Sequence, residues 1–213
     1  MNSFLKSILV VTSLSLISAC AKVEVSDEGK VSEELRLTLM IEEDYDTKTC
    51  LGSKDGNIYH TLWQSGDRIS LNGVSSAALK SEQAGQLKAS FVFRGGLAAP
   101  FNILYPATDS PDMVNFPAEQ NYHEDSFDPA AAPMWASSSV YADMSLRHLS
   151  SLVRLSLKDA EGAVLSGVSL CAMGGEQISG EFRLGTDDEG RFTGEIEPAG
   201  GSTNVTMTFG DGG

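Results

Sequence analysis

The sequence predicts an all-β fold, an antiparallel sandwich or barrel, and three observations carry that prediction. Short runs alternate apolar and polar residues, the pattern of a half-buried strand. Gly, Pro, Asn and Asp stand between the runs as turn signals. Helical periodicity is almost absent; "SSAALKSEQAGQL" has room for one turn only. Many short strands separated by turns indicate a sandwich or barrel.

The first element is not part of that fold. Lys6 is the only charge before an apolar run from Ile8 to Ala19, twelve residues long. A helix needs roughly 20 apolar residues to span a bilayer, so the run reads as a secretory signal peptide. It ends in Ile17-Ser18-Ala19-Cys20, which resembles the bacterial lipobox, whose Cys is diacylated and becomes the first mature residue. Lipidation of Cys20 is therefore expected; a plain signal peptide with a coincidental Cys is the alternative. Two or more acyl chains, at about 0.8 kcal/mol per buried methylene, anchor a protein stably.

Residues 20–34, "CAKVEVSDEGKVSEE", are short, polar and acidic, and read as a tether. "LRLTLMIE" follows with strict alternation. Leu35, Leu37, Leu39 and Ile41 share one face, and Arg36, Thr38, Met40 and Glu42 the other. The acidic loop "EDYDTK" comes next, and further strands are expected in "RISLNG", "LKASFVFRGG", "PFNILYP", "SLVRLSLKD", "AVLSGVSLCA", "ISGEFRLG", "GRFTGEI" and "TNVTMTF". Leu152, Val153, Leu155 and Leu157 form the densest core candidate. The segment 106–139, rich in Pro, Ala and Asp, reads as extended loops covering the sandwich.

Charge and cysteines narrow the function. Lys and Arg number 15 against 29 Asp and Glu, a formal net charge of −14 that becomes −15 once Lys6 leaves with residues 1–19. Such a chain repels phosphate backbones, which argues against nucleic acid as a partner. It also argues against adsorption to anionic lipid, leaving the anchoring to the acyl chains. Cys50 and Cys171 remain in the mature chain. They either pair, which for so long a loop stabilises by about 4 kcal/mol or more in the entropic account, or stay as buried free thiols. Three scattered His and no CxxC give no support to a zinc site.

Catalytic candidates are few. His60 and Asp67 in "YHTLWQSGDRIS" make an acid–base pair only if the turn folds one onto the other. The structural account is stronger: Ser65-Gly66-Asp67 forms a tight turn in which Asp bonds the backbone, and Trp63 caps the core edge. "TDDEG" at Thr186–Gly190 clusters carboxylates without the alternate spacing of a calcium loop, and reads as a hairpin turn. His123, Glu124, Asp125 and Asp128 lack fixed spacing and read as a solvated loop; His148 reads as a packed or surface histidine. No GxSxG, HExxH, P-loop or GxGxxG occurs. Neither an enzyme nor a cofactor is expected.

Several segments, in order, resemble the fimbrillin-like lipoproteins of gut and oral anaerobes. "LWQSGDRISLNG" is similar to the W-x-x-G-D-x-I-x-[VL]-x-G signature of that family. "FNILYPA", "NFPAEQNYHEDSFDPAAAPMWA", "LRHLSSLVRLSLKD" and "VSL…ISGEF" resemble its later segments, so the likeness runs from about Leu35 to Phe209. The resemblance implies a transthyretin-like antiparallel β-sandwich at 35–213, the N-terminal domain of a two-sandwich protein. The second domain is missing, and "NVTMTFGDGG" stops just after a strand, so a chain truncated at its C-terminus is expected.

The resemblance further implies an outer-membrane lipoprotein, a fimbrial (pilus) subunit or anchor supporting cell adhesion, surface-exposed or in fimbriae. Its partners are other fimbrial subunits, joined by strand exchange, and the outer membrane through the lipid on Cys20. In stalk subunits an arginine-specific protease removes the first strand, and a neighbour's strand fills the groove. Leu35, Leu37, Leu39 and Ile41 mark the displaceable strand, and burying them contributes about 6–12 kcal/mol before ordering costs. Lys48 in "DTKTC" stands where Arg would suit the protease better. An ordinary edge strand that is never cut, in a subunit acting as anchor or terminator, stays open. The alternative function is a surface glycan-binding lipoprotein using Trp63, Trp135, Tyr122 and Tyr141 as exposed aromatics.

Overall fold

Strands form where apolar and polar residues alternate, and the chain is all-β. The computed structural model describes residues 23–25, 31–42, 51–55, 58–124, 126–155, 157 and 165–209. The first strands are β1 (Val23–Val25), β2 (Val31–Ile41), β3 (Leu51–Asp55), β4 (Ile58–Thr61), β5 (Ser70–Leu71) and β6 (Val74–Ser75). A first 3-10 turn at Ser81–Gln83, in the stretch with room for helix, leads to β7 (Lys88–Arg94). Then come β8 (Phe101–Tyr105), β9 (Met113–Phe116), β10 (Glu119–Asn121), β11 (Met134–Ser138) and β12 (Met144–His148). The series ends with β13 (Gly167–Cys171), β14 (Ser179–Thr186), β15 (Phe192–Ser202) and β16 (Asn204–Thr208).

The largest sheet runs β7-β2-β12-β11-β8-β5-β6, with β1 pairing the start of β2. Just past β6 the Ala77 N–H donates to the Val92 carbonyl on β7 at 2.8 Å. That bond brings the two ends of the sheet together into a nearly closed barrel, which leaves little edge to solvent. Its interior is filled by Leu37, Leu39 and Ile41 from β2, Phe91 and Phe93 from β7, Ile103 and Tyr105 from β8, and Met134. Trp63 sits at the centre, edge-on to Phe91 at 4.9 Å and to Tyr105 at 5.6 Å.

A second layer, β15-β14-β9, packs on the outside of β8 and β11. β8 is buried on both faces, so "FNILY" is nearly continuous in apolar residues: Ile103 points into the barrel while Leu104 joins Val114, Phe116, Phe182, Leu184 and Phe192. Trp135 lies against Gly194, where an added Cβ would stand 2.3 Å from Trp135 Cζ2. Gly194 also has φ +83°, so the site needs glycine twice over. Among the described residues there are two further, smaller sheets, β10-β16-β13 and β3-β4.

Three expectations need correction. Leu152, Val153, Leu155 and Leu157 are exposed, Val153 by 69 %, instead of forming the densest core. Their period suits a strand, but a strand needs a free edge, and both edges of the preceding β12 are occupied by β11 and β2. The segment 106–139 holds β9, β10 and β11 where loops were expected. Its apolar Val114, Phe116, Met134 and Ala136 are buried, which outweighs its Pro and Asp. Within the expected tether, Val23–Val25 pairs antiparallel with Val31–Glu33.

Candidate functional site: a strand between two unlike neighbours

β2 contains the strand expected to be displaceable, and its setting is specific. On one side it pairs antiparallel with β7 from Glu34↔Arg94 to Met40↔Lys88. On the other it pairs parallel with β12, but only over Met144↔Leu39, Ser145↔Met40 and Leu146↔Ile41. The Ile41 N–H donates to Leu87 and the Glu42 N–H to Leu146, toward opposite neighbours. β2 is therefore an inner strand over Leu39–Ile41, while along Glu34–Thr38 its strand neighbour among the described residues is β7 alone. Leu37, Leu39 and Ile41 are exposed by 1 %, 0 % and 1 %, and Leu35 packs against the same core.

The outer face and the β12-side edge are tied by polar groups that water reaches. The Tyr141 hydroxyl, from the β11–β12 loop, donates to the Arg36 carbonyl, and the Tyr141 ring stacks edge-on with Phe101 at 5.8 Å. Lys88 Nζ on β7 stands 2.9 Å from Asp143 Oδ2 on that loop. Arg147 Nε on β12 stands 2.6 Å from Glu42 Oε2. The Thr38 and Ser90 hydroxyls meet at 3.2 Å across β2 and β7.

Asp67 and Asp187 both take part in turns. Asp67 Oδ2 accepts the Gln64 N–H at 2.7 Å and Oδ1 accepts the Tyr105 hydroxyl at 3.1 Å. Burial pushes its carboxyl above the ordinary range, while the bonds from Gln64 and Tyr105 pull it back. That is the expected tight turn. His60 lies on β4. "TDDEG" is the β14–β15 hairpin turn: Asp187 accepts the N–H groups of Glu189 and Arg191 and pairs with the Arg191 guanidinium at 2.8 Å. Those contacts hold the Asp187 carboxyl below its usual range.

Asp128 is more than a member of a solvated loop. It is buried, accepts Asn121 N–H and Nδ2 at 2.9 Å each, and caps the second 3-10 turn, Pro129–Ala131, through the Ala130 N–H. Both ring nitrogens of His148 are buried without a hydrogen-bond partner, and burial lowers its pKa from 6.5 to about 4. Among the described residues no group of three or more His, Cys, Asp or Glu is placed to hold a metal ion, and no helix is long and apolar enough to cross a membrane.

Of the four aromatics expected on the surface, Trp63 is fully buried and Trp135 is half-covered by β15; Tyr122 and Tyr141 are exposed. Cys171 is exposed at the end of β13, not buried as a free thiol. Cys50, the other half of the disulfide alternative, Cys20, where lipidation is expected, and Lys48, considered for processing, lie outside the described residues.

Two long-range contacts were not expected from the sequence. Tyr141 reaches a carbonyl 105 positions away in the chain, and no local pattern signals that. Asn102 joins the two layers: its Nδ2 donates to the Gly190 carbonyl, and its Oδ1 accepts from Ser137 and Phe192. A polar residue in the otherwise apolar "FNILY" was the available signal. No protein-family model, curated protein or solved structure matches the chain.

Proposed function

We propose that the chain is a fimbrial subunit exported as a lipoprotein, assembled when β2 is removed and a strand of a neighbouring subunit takes its place. The observation that carries the reading is the position of β2. It is an inner strand with an apolar comb, Leu35, Leu37, Leu39 and Ile41, sunk into the barrel between β7 and β12. Removing such a strand leaves β7 unpaired from Lys88 to Arg94, β12 unpaired over Met144–Leu146, and an apolar slot between them. That slot accepts another strand of the same alternation, main-chain bonds giving affinity and side-chain pockets giving register.

On this reading Cys20 carries the lipid, the loop containing Lys48 is where the first strand is severed, and the fold is a transthyretin-like sandwich. The partners are further fimbrial subunits and the outer membrane, and the role is cell adhesion. The polar turn of Asp67 and the hairpin of Asp187 are then scaffolding, not machinery. The glycan-binding alternative loses ground with Trp63, which reaches a ligand only if the core opens.

The test is to shear cells that express the full chain and resolve the released material without boiling. Ladders of high molecular mass that collapse on heating are expected, with a mature N-terminus beyond Ile41 by mass spectrometry. Monomer alone, retained with the membranes, overturns the polymerising reading.

A further inference from the structure

The parallel pairing of β2 with β12 has a consequence for how β2 is held. In a parallel pair, the residues before Met144 run beside the residues before Leu39. That stretch is the β11–β12 loop, 139–143, and it forms no ladder with β2. Along Glu34–Thr38, β2 has a strand neighbour on the β7 side only, among the described residues. The loop meets the other edge through Tyr141, whose hydroxyl takes the Arg36 carbonyl. Asp143 of the same loop pairs with Lys88 on β7, whose register partner on β2 is the exposed Met40.

We propose that the loop 139–143 is a strap across β2 that sets how fast this strand leaves the barrel and a second copy's strand replaces it. The inference rests on the exchange of β2 proposed above, and it adds a division of labour. The buried comb supplies the affinity, and screening of charge by salt does not weaken it. The strap supplies the barrier through one hydrogen bond and one ion pair, Lys88–Asp143, whose side chains are 55 % and 64 % exposed. Exposed contacts of that kind are individually weak and are screened by salt. The edge from Glu34 to Thr38 is where an invading strand first finds unladdered backbone, once Tyr141 has swung away. Phe101 is the seat that returns the Tyr141 ring to its place.

The experiment uses the full chain with a protease site placed within 43–48, cleaved so that β2 stays seated without a covalent tie. A fluorescent peptide of sequence 31–42 is added in excess and its incorporation followed by anisotropy. Tyr141→Phe keeps the ring against Phe101 and removes the hydroxyl. It should speed incorporation on the order of five-fold, the effect of one net hydrogen bond of about 1 kcal/mol. Asp143→Asn should do the same at low salt, and the difference from the parent should shrink at high salt.

Amide hydrogen exchange, read on the uncut chain, should show faster exchange at Arg36–Thr38 in Tyr141→Phe and no change at Phe91. Equal incorporation rates in the parent and both variants overturn the strap while leaving strand exchange intact. Absence of incorporation in every variant, with the far-UV spectrum unchanged, removes strand exchange and the strap with it.

Discussion

Arg147 Nε and Glu42 Oε2 stand 2.6 Å apart across the parallel β2–β12 ladder, at the end of β2 that continues into the acidic loop. Their side chains are 64 % and 34 % exposed, so water screens the attraction and two long side chains give up freedom to make it. Glu42→Gln should therefore cost only about 0.2–1 kcal/mol in urea unfolding at low salt, and less at roughly 0.5 M. A loss above that range, unaffected by salt, would show that the pair does more than tidy the end of β2.

The inner face of the same strand obeys different arithmetic. Leu39 is completely buried, and its partners across the ladders are Ala89 and Met144. Ala89 is too small to fill a gap left beside it, so truncation leaves a cavity. Leu39→Ala should destabilise the chain by about 2–5 kcal/mol. Met40→Ala, one residue along on the exposed face, should change stability by less than about 0.5 kcal/mol. Equal effects in the two variants would contradict the inward and outward assignment of β2.

The alternation that separates Leu39 from Met40 was plain in the sequence, and so were β7, β8 and the β14–β15 hairpin, because each pairs with a neighbour its pattern already suits. What the sequence left hidden is partnership. Nothing in "LRLTLMIE" says that one edge goes to an antiparallel strand and the other to a parallel one more than a hundred residues away. The misplacement of Leu152–Leu157 has the same origin: alternation reports a face, whereas burial requires an available edge. Of the site, the comb of β2 was legible from its period, while the loop that closes over it was not. Tyr141 binds a backbone carbonyl, which carries no side-chain signature.

Gly194 gives a test of how the second layer is docked. It has φ +83°, and the Trp135 ring occupies the space a methyl group would need, 2.3 Å from the position of Cβ. Ring and backbone both belong to packed strands, so neither yields easily. Gly194→Ala should lower stability by about 1–3 kcal/mol through overpacking, with backbone strain adding to it. It should also alter the fluorescence of Trp135. Gly96→Ala is the control, since an added Cβ there meets nothing within 4 Å. An unshifted Trp spectrum in Gly194→Ala would mean that the ring does not rest on β15.

His148 sets a pH dependence whose direction follows from its burial. Its pKa falls from 6.5 to about 4 in the folded chain because the charged ring is poorly solvated there, and no hydrogen bond offsets the loss. Below about pH 6.5 the unfolded chain takes up this proton while the folded chain does not. Stability from this group is thus complete above pH 6.5 and is lost as pH falls to about 4, by up to roughly 3 kcal/mol. Asp67 acts in the opposite sense: its raised pKa favours the folded state as pH falls through that value. His148→Phe keeps an aromatic ring and has no proton to gain. Urea unfolding at pH 7 and pH 5 should show the parent losing stability and His148→Phe losing markedly less. Parallel losses in both would place the acid sensitivity elsewhere and leave His148 solvated in the native state.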